Sequence, residues 1–416
     1  MKRSINFIIS TLIFSILISS PLFAQDDEDN KKLGISFSGF VKNDVFYDSR
    51  QTVSAREGHF LLWPQDQDLD AMDEDINATS SFNMLAVQSR LSGTITGPEA
   101  FGAKTSGKIE GDFFAQANDN INLFRLRHAF VKLDWENTQL LFGQYWNPMF
   151  VTSCFPGTVS FNTGSPIQPF ARNPQVRLTQ SFGDIYLVAA ALAQRDYTSR
   201  APDPSPEYLR NSGVPDMHLQ LHYDKSKINV GAGVAYKTIV PRLETNMGLK
   251  TREGVSGLSA LAYAKISLDP VTIKFQAVSG ENNTDVLQIS GFAVKSIDPV
   301  TDERTYTPIN NFSIWSDIHT NGEKFQVGLF AGYLVNRGTG EKYVGDPGYI
   351  YGFGNNISSI YRISPRIVFN SGKLRLGIES EYTTATFGRN FNEKAKPING
   401  NEESNLRMLF STYFFF

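Results

Sequence analysis

The last thirteen residues, Ser404 to Phe416, read Ser-Asn-Leu-Arg-Met-Leu-Phe-Ser-Thr-Tyr-Phe-Phe-Phe, and they constrain the fold more than any other stretch. Leu406, Met408, Phe410, Thr412, Phe414 and Phe416 share one parity, as a strand of period two with one apolar face requires. Arg407, Ser411 and Tyr413 fall on the other side. Left as an open edge in water, such a strand would recruit other chains through its unpaired backbone groups. Two arrangements avoid this: a core strand at the end of a soluble domain, or closure of a barrel whose outer face meets lipid. The upstream chain decides between them.

A chain of 416 residues has room for two or three soluble domains or one large closed sheet. Aromatic content of 12%, with 32 Phe and 16 Tyr, and a mean hydropathy of only -0.24 favour the sheet. A helical membrane protein would carry long apolar runs, and none follows the first two dozen residues. The formal charge of -3 gives no basis for a nucleic-acid partner. Lys2 and Arg3 precede the apolar run Ile5 to Ile18 and then Ser-Ser-Pro-Leu-Phe-Ala-Gln, the layout of a secretory signal over 1–24 cleaved after Ala24. Residues 25–34 are expected to form a flexible periplasmic leader, too short to hold a plug domain ahead of the first strand. The single cysteine, Cys154, rules out a lipid-anchoring Cys at the cleavage point and an internal disulfide framework.

From residue 35 to 416 the chain alternates strand and turn. About sixteen strands are expected, among them 35–47, 82–96, 103–115, 122–135, 139–145, 175–182 and 185–194. Seven connections are tight and eight are long, a two-sided alternation that a bilayer-spanning barrel keeps and a soluble sandwich has no reason to keep. The expected fold is therefore all-β: an antiparallel transmembrane barrel with short turns at one end and long loops at the other. Segment 48–79, with Asp66, Asp68, Asp70, Asp73, Glu74 and Asp75, reads as a solvated acidic loop, since it lacks the Gly and terminal Glu of an EF-hand calcium loop.

A charged side chain facing lipid at mid-bilayer costs about 2–4 kcal/mol, so charged parities belong inside. That points Arg125 and Arg127 into the lumen, with Phe124, Leu126, His128 and Phe130 on the apolar parity. It also turns in Lys108, Glu110, Asp112, Arg177, Arg362, Arg366 and Arg375, along with Glu379 and Glu381, as candidate pore-lining residues. The stretch 137–171 has no charged residue and is too apolar for an exposed loop. A constriction loop over 146–173 is expected to fold into the lumen, with Trp146, Phe150, Phe155, Phe161 and Phe170 buried and Arg172 at its exit; latching onto a neighbouring subunit is the alternative. No Gly-x-Ser-x-Gly nucleophile motif occurs, and His218 and His222 are four strand residues apart, too far to share one metal. Neither an enzyme, a metal nor a cofactor is expected.

The strand order, the segment Phe124-Arg125-Leu126-Arg127-His128-Ala129-Phe130-Val131, the following Phe142-Gly143-Gln144, the Pro-rich third long loop and the terminal Phe together resemble a bacterial outer-membrane porin, most like the DcaP-like and phosphate-selective porin group. The dense lysine ladder of the phosphate-selective members is absent. The resemblance implies a sixteen-stranded homotrimeric channel in outer-membrane lipid of a Gram-negative bacterium. It would pass small hydrophilic solutes by diffusion, with a preference for anions such as dicarboxylates. The competing expectation is a surface adhesin or scaffold built on a barrel with a sealed lumen.

Overall fold

In the computed structural model, which describes residues 33–416, sixteen antiparallel strands close into one barrel. The signal segment 1–24, and the leader 25–34 except its last two residues, lie outside the described residues. Closure is made by strand Gly34–Asp48. Its far half pairs with the last strand from Phe40 opposite Phe415 to Asp48 opposite Arg407, and its near half pairs with Arg90–Thr96. The apolar C-terminal strand Asn401–Phe415 is thus paired on both sides, with Leu374–Phe387 as its other neighbour, and presents no free edge.

Alternation sorts the side chains. Leu406, Met408, Phe410, Phe414 and Phe416 are exposed on the outer surface, while Arg407, Leu409 and Ser411 are buried inside. The same parity sets Ile109 and Phe113 outward against Lys108, Glu110 and Asp112, and Ile363 and Ile367 outward against Arg362 and Arg366. Glycines fit where inward neighbours crowd the wall: a Cβ on Gly231 would meet the Tyr263 ring at 2.6 Å, and one on Gly233 would meet Gln220 Cγ at 2.4 Å. Tight connections such as 183–184 and 372–373 lie at one end, and long ones such as 147–171 and 193–215 at the other.

Three local departures from the sequence pattern matter for the lumen. The expected strand 82–96 is two pieces, Ser81–Leu85 and Arg90–Thr96. Between them the Ser89 hydroxyl accepts the Lys42 backbone N–H at 3.0 Å, a side chain taking the place of a ladder carbonyl. The second departure is a bulge: Glu110 pairs with His128, but Gly111 pairs with Leu126 and Asp112 with Arg125, so Arg127 is one residue too many. Side-chain phase flips there. Arg125 and Arg127 face inward above the bulge, and His128 faces inward below it, buried, with its ring 5.5 Å from Trp146. The expectation that His128 and Phe130 share the outward apolar parity is therefore corrected; Phe130 packs its ring edge against Tyr145 at 5.2 Å.

The third departure lies in the first long loop. The acidic stretch does stay at the surface: Asp66 pairs with Arg389 at 2.7 Å, Asp75 pairs with Arg50 at 2.7 Å, and the Asp70 carboxylate accepts N–H groups of its own turn. The hairpin Thr52–Ala55 and Phe60–Pro64 instead tucks into the barrel, with Phe60, Leu61, Leu62 and Trp63 all buried. His59 at its tip meets the Asp44 carboxylate at 2.5 Å. Reading the whole of 48–79 as a solvated loop is corrected by this run of four apolar residues, which would cost too much left in water.

Candidate functional site

The functional interior is built by one loop crossing from wall to wall. Residues 147–171 leave strand Thr138–Trp146 and return at Arg172, with Asn147 N–H donating to the Ala171 carbonyl at 3.0 Å. Without regular structure, the loop brings unpaired backbone groups into the barrel, where each needs a partner. The inward polar parity supplies them. Gly157 N–H donates to Asp317 at 3.1 Å, Val159 N–H to Glu379, and the Asn162 amide to Glu381 at 2.7 Å. Lys42 and Tyr413 donate to the Val159 carbonyl, Arg362 to Ser165 O at 2.7 Å, and the Trp315 indole to Gln168 at 2.6 Å. Apolar side chains of the loop, Met149, Phe150, Phe161, Ile167 and Phe170, form one cluster with Phe60 and Trp63 of the tucked hairpin and with Trp315 and Phe330 of the wall. The loop lies within the barrel with Phe150, Phe161 and Phe170 buried, whereas Trp146 is half-buried and Phe155 is exposed, which corrects the expected burial of those two rings.

The charged residues divide into two sets. Arg362 faces inward but is fully buried, donating to the carbonyls of Ser165 and Leu62 and to Thr383, with Glu381 at 3.7 Å. Its guanidinium anchors both inserted loops and offers no surface to water, which corrects its expected place on the pore lining. Glu379 and Glu381, fully buried at the inserted loop, act with it. Because removing one member of a buried charged pair strands the other, Arg362→Ala should cost about 3–5 kcal/mol. The expected outcome is a lower unfolding temperature in detergent, with loop 147–171 opened to protease; an unchanged temperature contradicts the anchoring role.

The second set lines open space. Arg127 donates to Glu110 at 2.9 Å and to Asp112 at 2.8 Å, Arg125 donates to Asp112 at 2.8 Å, and Lys108 sits 3.0 Å from Glu110. Between this wall and the loop lies a cavity of about 550 Å³, lined by Arg90, Lys108, Arg127 and Arg375 against the single carboxylate Glu110. Trp146, Phe150 and Phe155 form part of its other side. A cavity of about 300 Å³ toward the short-turn end shares Tyr145, Phe150 and Thr152 with it and adds Arg177, which has no carboxylate within 4 Å among the described residues. Arg366 lines a smaller space of about 190 Å³ with Lys274, His319 and Arg375, its own guanidinium held by Asp317 at 2.7 Å. Toward the long-loop end, Arg172 is clasped by Asp196 at 2.6 Å, beside a space of about 730 Å³ lined by Arg56, Arg125, Arg195 and Arg200. Burial opposes ionisation of the loop residue Asp196, but Arg172 and Arg125 hold its carboxyl below the ordinary range.

Arg90 was not singled out from the sequence, although its alternation with Leu91 carries the signal that placed Lys108. Lys265 and Lys274 were also missed. They stand directly opposite each other across neighbouring strands, and neither has a carboxylate within 4 Å among the described residues. His218 and His222 face inward on either side of Gln220; His218 lies 3.2 Å from Asp216, and the His222 ring stacks on Tyr186.

This fold, sixteen strands with long loops at one end and the loop 147–171 folded into the lumen, matches solved structures of porins. The outer-membrane channel DcaP of Acinetobacter baumannii superposes with a TM-score of 0.70 at 16% identity, over 95% of this chain and 100% of that one. An anion-selective porin from Comamonas acidovorans gives 0.56 at 12% identity over 92% and 100%. The trimer form of in-vitro folded OmpT from Vibrio cholerae gives 0.55 at 10% over 92% and 99%. No protein-family model and no curated relative matches the chain.

Proposed function

We propose that this chain is a Gram-negative outer-membrane porin: a passive, water-filled, homotrimeric channel that carries small hydrophilic solutes down their gradients and favours anions. The observation that carries the reading is the cavity between wall and inserted loop, where four cationic side chains face one carboxylate. The trimer and the anion preference also draw on the similar structures, one described as a trimer form and another as an anion-selective porin. The loop 147–171 sets the size limit, and Arg90, Lys108, Arg127 and Arg375 set the sign. Guanidinium and ammonium groups of this kind serve as transient sites, because conduction needs favourable binding without tight retention.

A barrel used as an adhesin or scaffold, with its lumen sealed, has one observation in its favour: the hairpin 52–64 and the loop 147–171 pack against each other and the wall in one cluster inside the barrel. Planar-bilayer recording separates the two readings. Stepwise ionic conductance on addition of the purified protein is expected from a porin, and a silent bilayer from a sealed barrel.

A further inference from the structure

The cavity that carries the porin reading has a second property, which charge does not explain. On the loop side, three rings stand in series: Trp146 stacks on Phe150 with centroids 3.9 Å apart and planes at 12°, and Phe150 stacks on Phe155 at 5.4 Å and 28°. All three line the same cavity as Arg90, Lys108, Arg127 and Arg375. Phe155 is exposed at 37%, and its carbonyl and ring are held by Lys274, which donates to the former at 3.0 Å and lies 5.4 Å from the centroid of the latter. Tyr145 continues the aromatic surface into the neighbouring cavity, where Arg177 lies over its ring at 5.0 Å.

Chloride or another small hydrated ion would gain nothing from an apolar ladder beside the cations. A solute with an apolar face and an anionic head would use both walls, since flat rings stack on aromatic side chains while carboxylates take hydrogen bonds from arginine and lysine. Sites that orient organic ligands are built this way, with an apolar wall and a few placed polar groups.

We propose that the cavity is a binding site for planar aromatic carboxylates, the ring packing against the exposed Phe155 and the half-buried Trp146 at the two ends of the stack and the carboxylate held by Arg90 and Lys108. This rests on the porin reading and narrows its solute class. Benzoate then occupies the channel more tightly than an aliphatic anion of the same charge.

The test records current through the wild-type channel in potassium chloride while benzoate, cyclohexanecarboxylate or acetate is added. Benzoate is expected to reduce the current at concentrations where the other two have little effect. Phe155→Leu, a swap at an exposed position, should weaken benzoate up to about tenfold, with Phe155→Tyr restoring it. Conductance in potassium chloride alone is read in every variant, so a variant that has lost its fold is recognised and replaced by Trp146→Leu. Equal effects of the three anions, or an undiminished benzoate effect in the Leu variants, overturn the site and leave the porin intact. Absence of any potassium chloride conductance in the wild type overturns both.

Discussion

Replacing residues 155–168 with a short Gly-Ser linker should raise single-channel conductance severalfold. Those residues hold the middle of the inserted loop, and their hydrogen bonds run to Asp317, Glu381, Arg362 and Trp315 on the wall. None of these bonds belongs to the strand ladders, which pair Phe325–Thr339 with Ile357–Ser371, and that strand with Leu374–Phe387, through backbone groups alone. The barrel should therefore survive the deletion while the lumen loses its main obstruction. Glu381 and Arg362, freed from the loop, would be hydrated instead of buried, so anion preference should fall as conductance rises. Unchanged conductance from a variant that still folds as a barrel would show that the loop does not set the limiting cross-section.

Charge reversal at the opposite wall should have the other large effect. With Arg90→Glu and Lys108→Glu together, four cations and one carboxylate around the cavity become two cations and three carboxylates. A unit charge about 4 Å away is worth about 1 kcal/mol even in bulk water. A swing of four charges thus exceeds the roughly 1.4 kcal/mol that corresponds to a tenfold preference. In a salt gradient the zero-current potential should change sign, from anion to cation selectivity. The recording belongs at low ionic strength, because at about 0.1 M the Debye length is already only about 10 Å. A potential that keeps its sign in the double variant would place the ion path elsewhere in the barrel.

The barrel could be read from the sequence because a strand's period of two is exact and lipid tolerates few charges. Leu406, Met408 and Phe410 against Arg407 and Ser411 fix the facing of the last strand, and Ile363 and Ile367 against Arg362 and Arg366 do the same for another. That logic fails wherever one residue is added. At Arg127 a bulge inverts the parity, and His128, outward by counting, is inward in fact. Nothing in the residues 124–131 announces the bulge, since it is set by register against Gly111.

What an inward charge meets was equally hidden. Arg362 and Arg127 have the same parity signal, yet one binds carbonyls of two inserted loops and the other lines a cavity. Inward polarity is required whether the partner is water or the backbone of an inserted loop, so sequence alternation alone does not separate them. The burial of loop 147–171 was legible in its lack of charge; that of Phe60-Leu61-Leu62-Trp63 was legible too, but the acidic residues following it dominated the segment.

The most direct measurement is the zero-current potential of the wild-type protein in a planar bilayer between two potassium chloride concentrations. A conducting channel whose potential has the sign set by chloride is the expected result. A conducting channel whose potential has the sign set by potassium would contradict the cationic lumen wall as the path that solutes take.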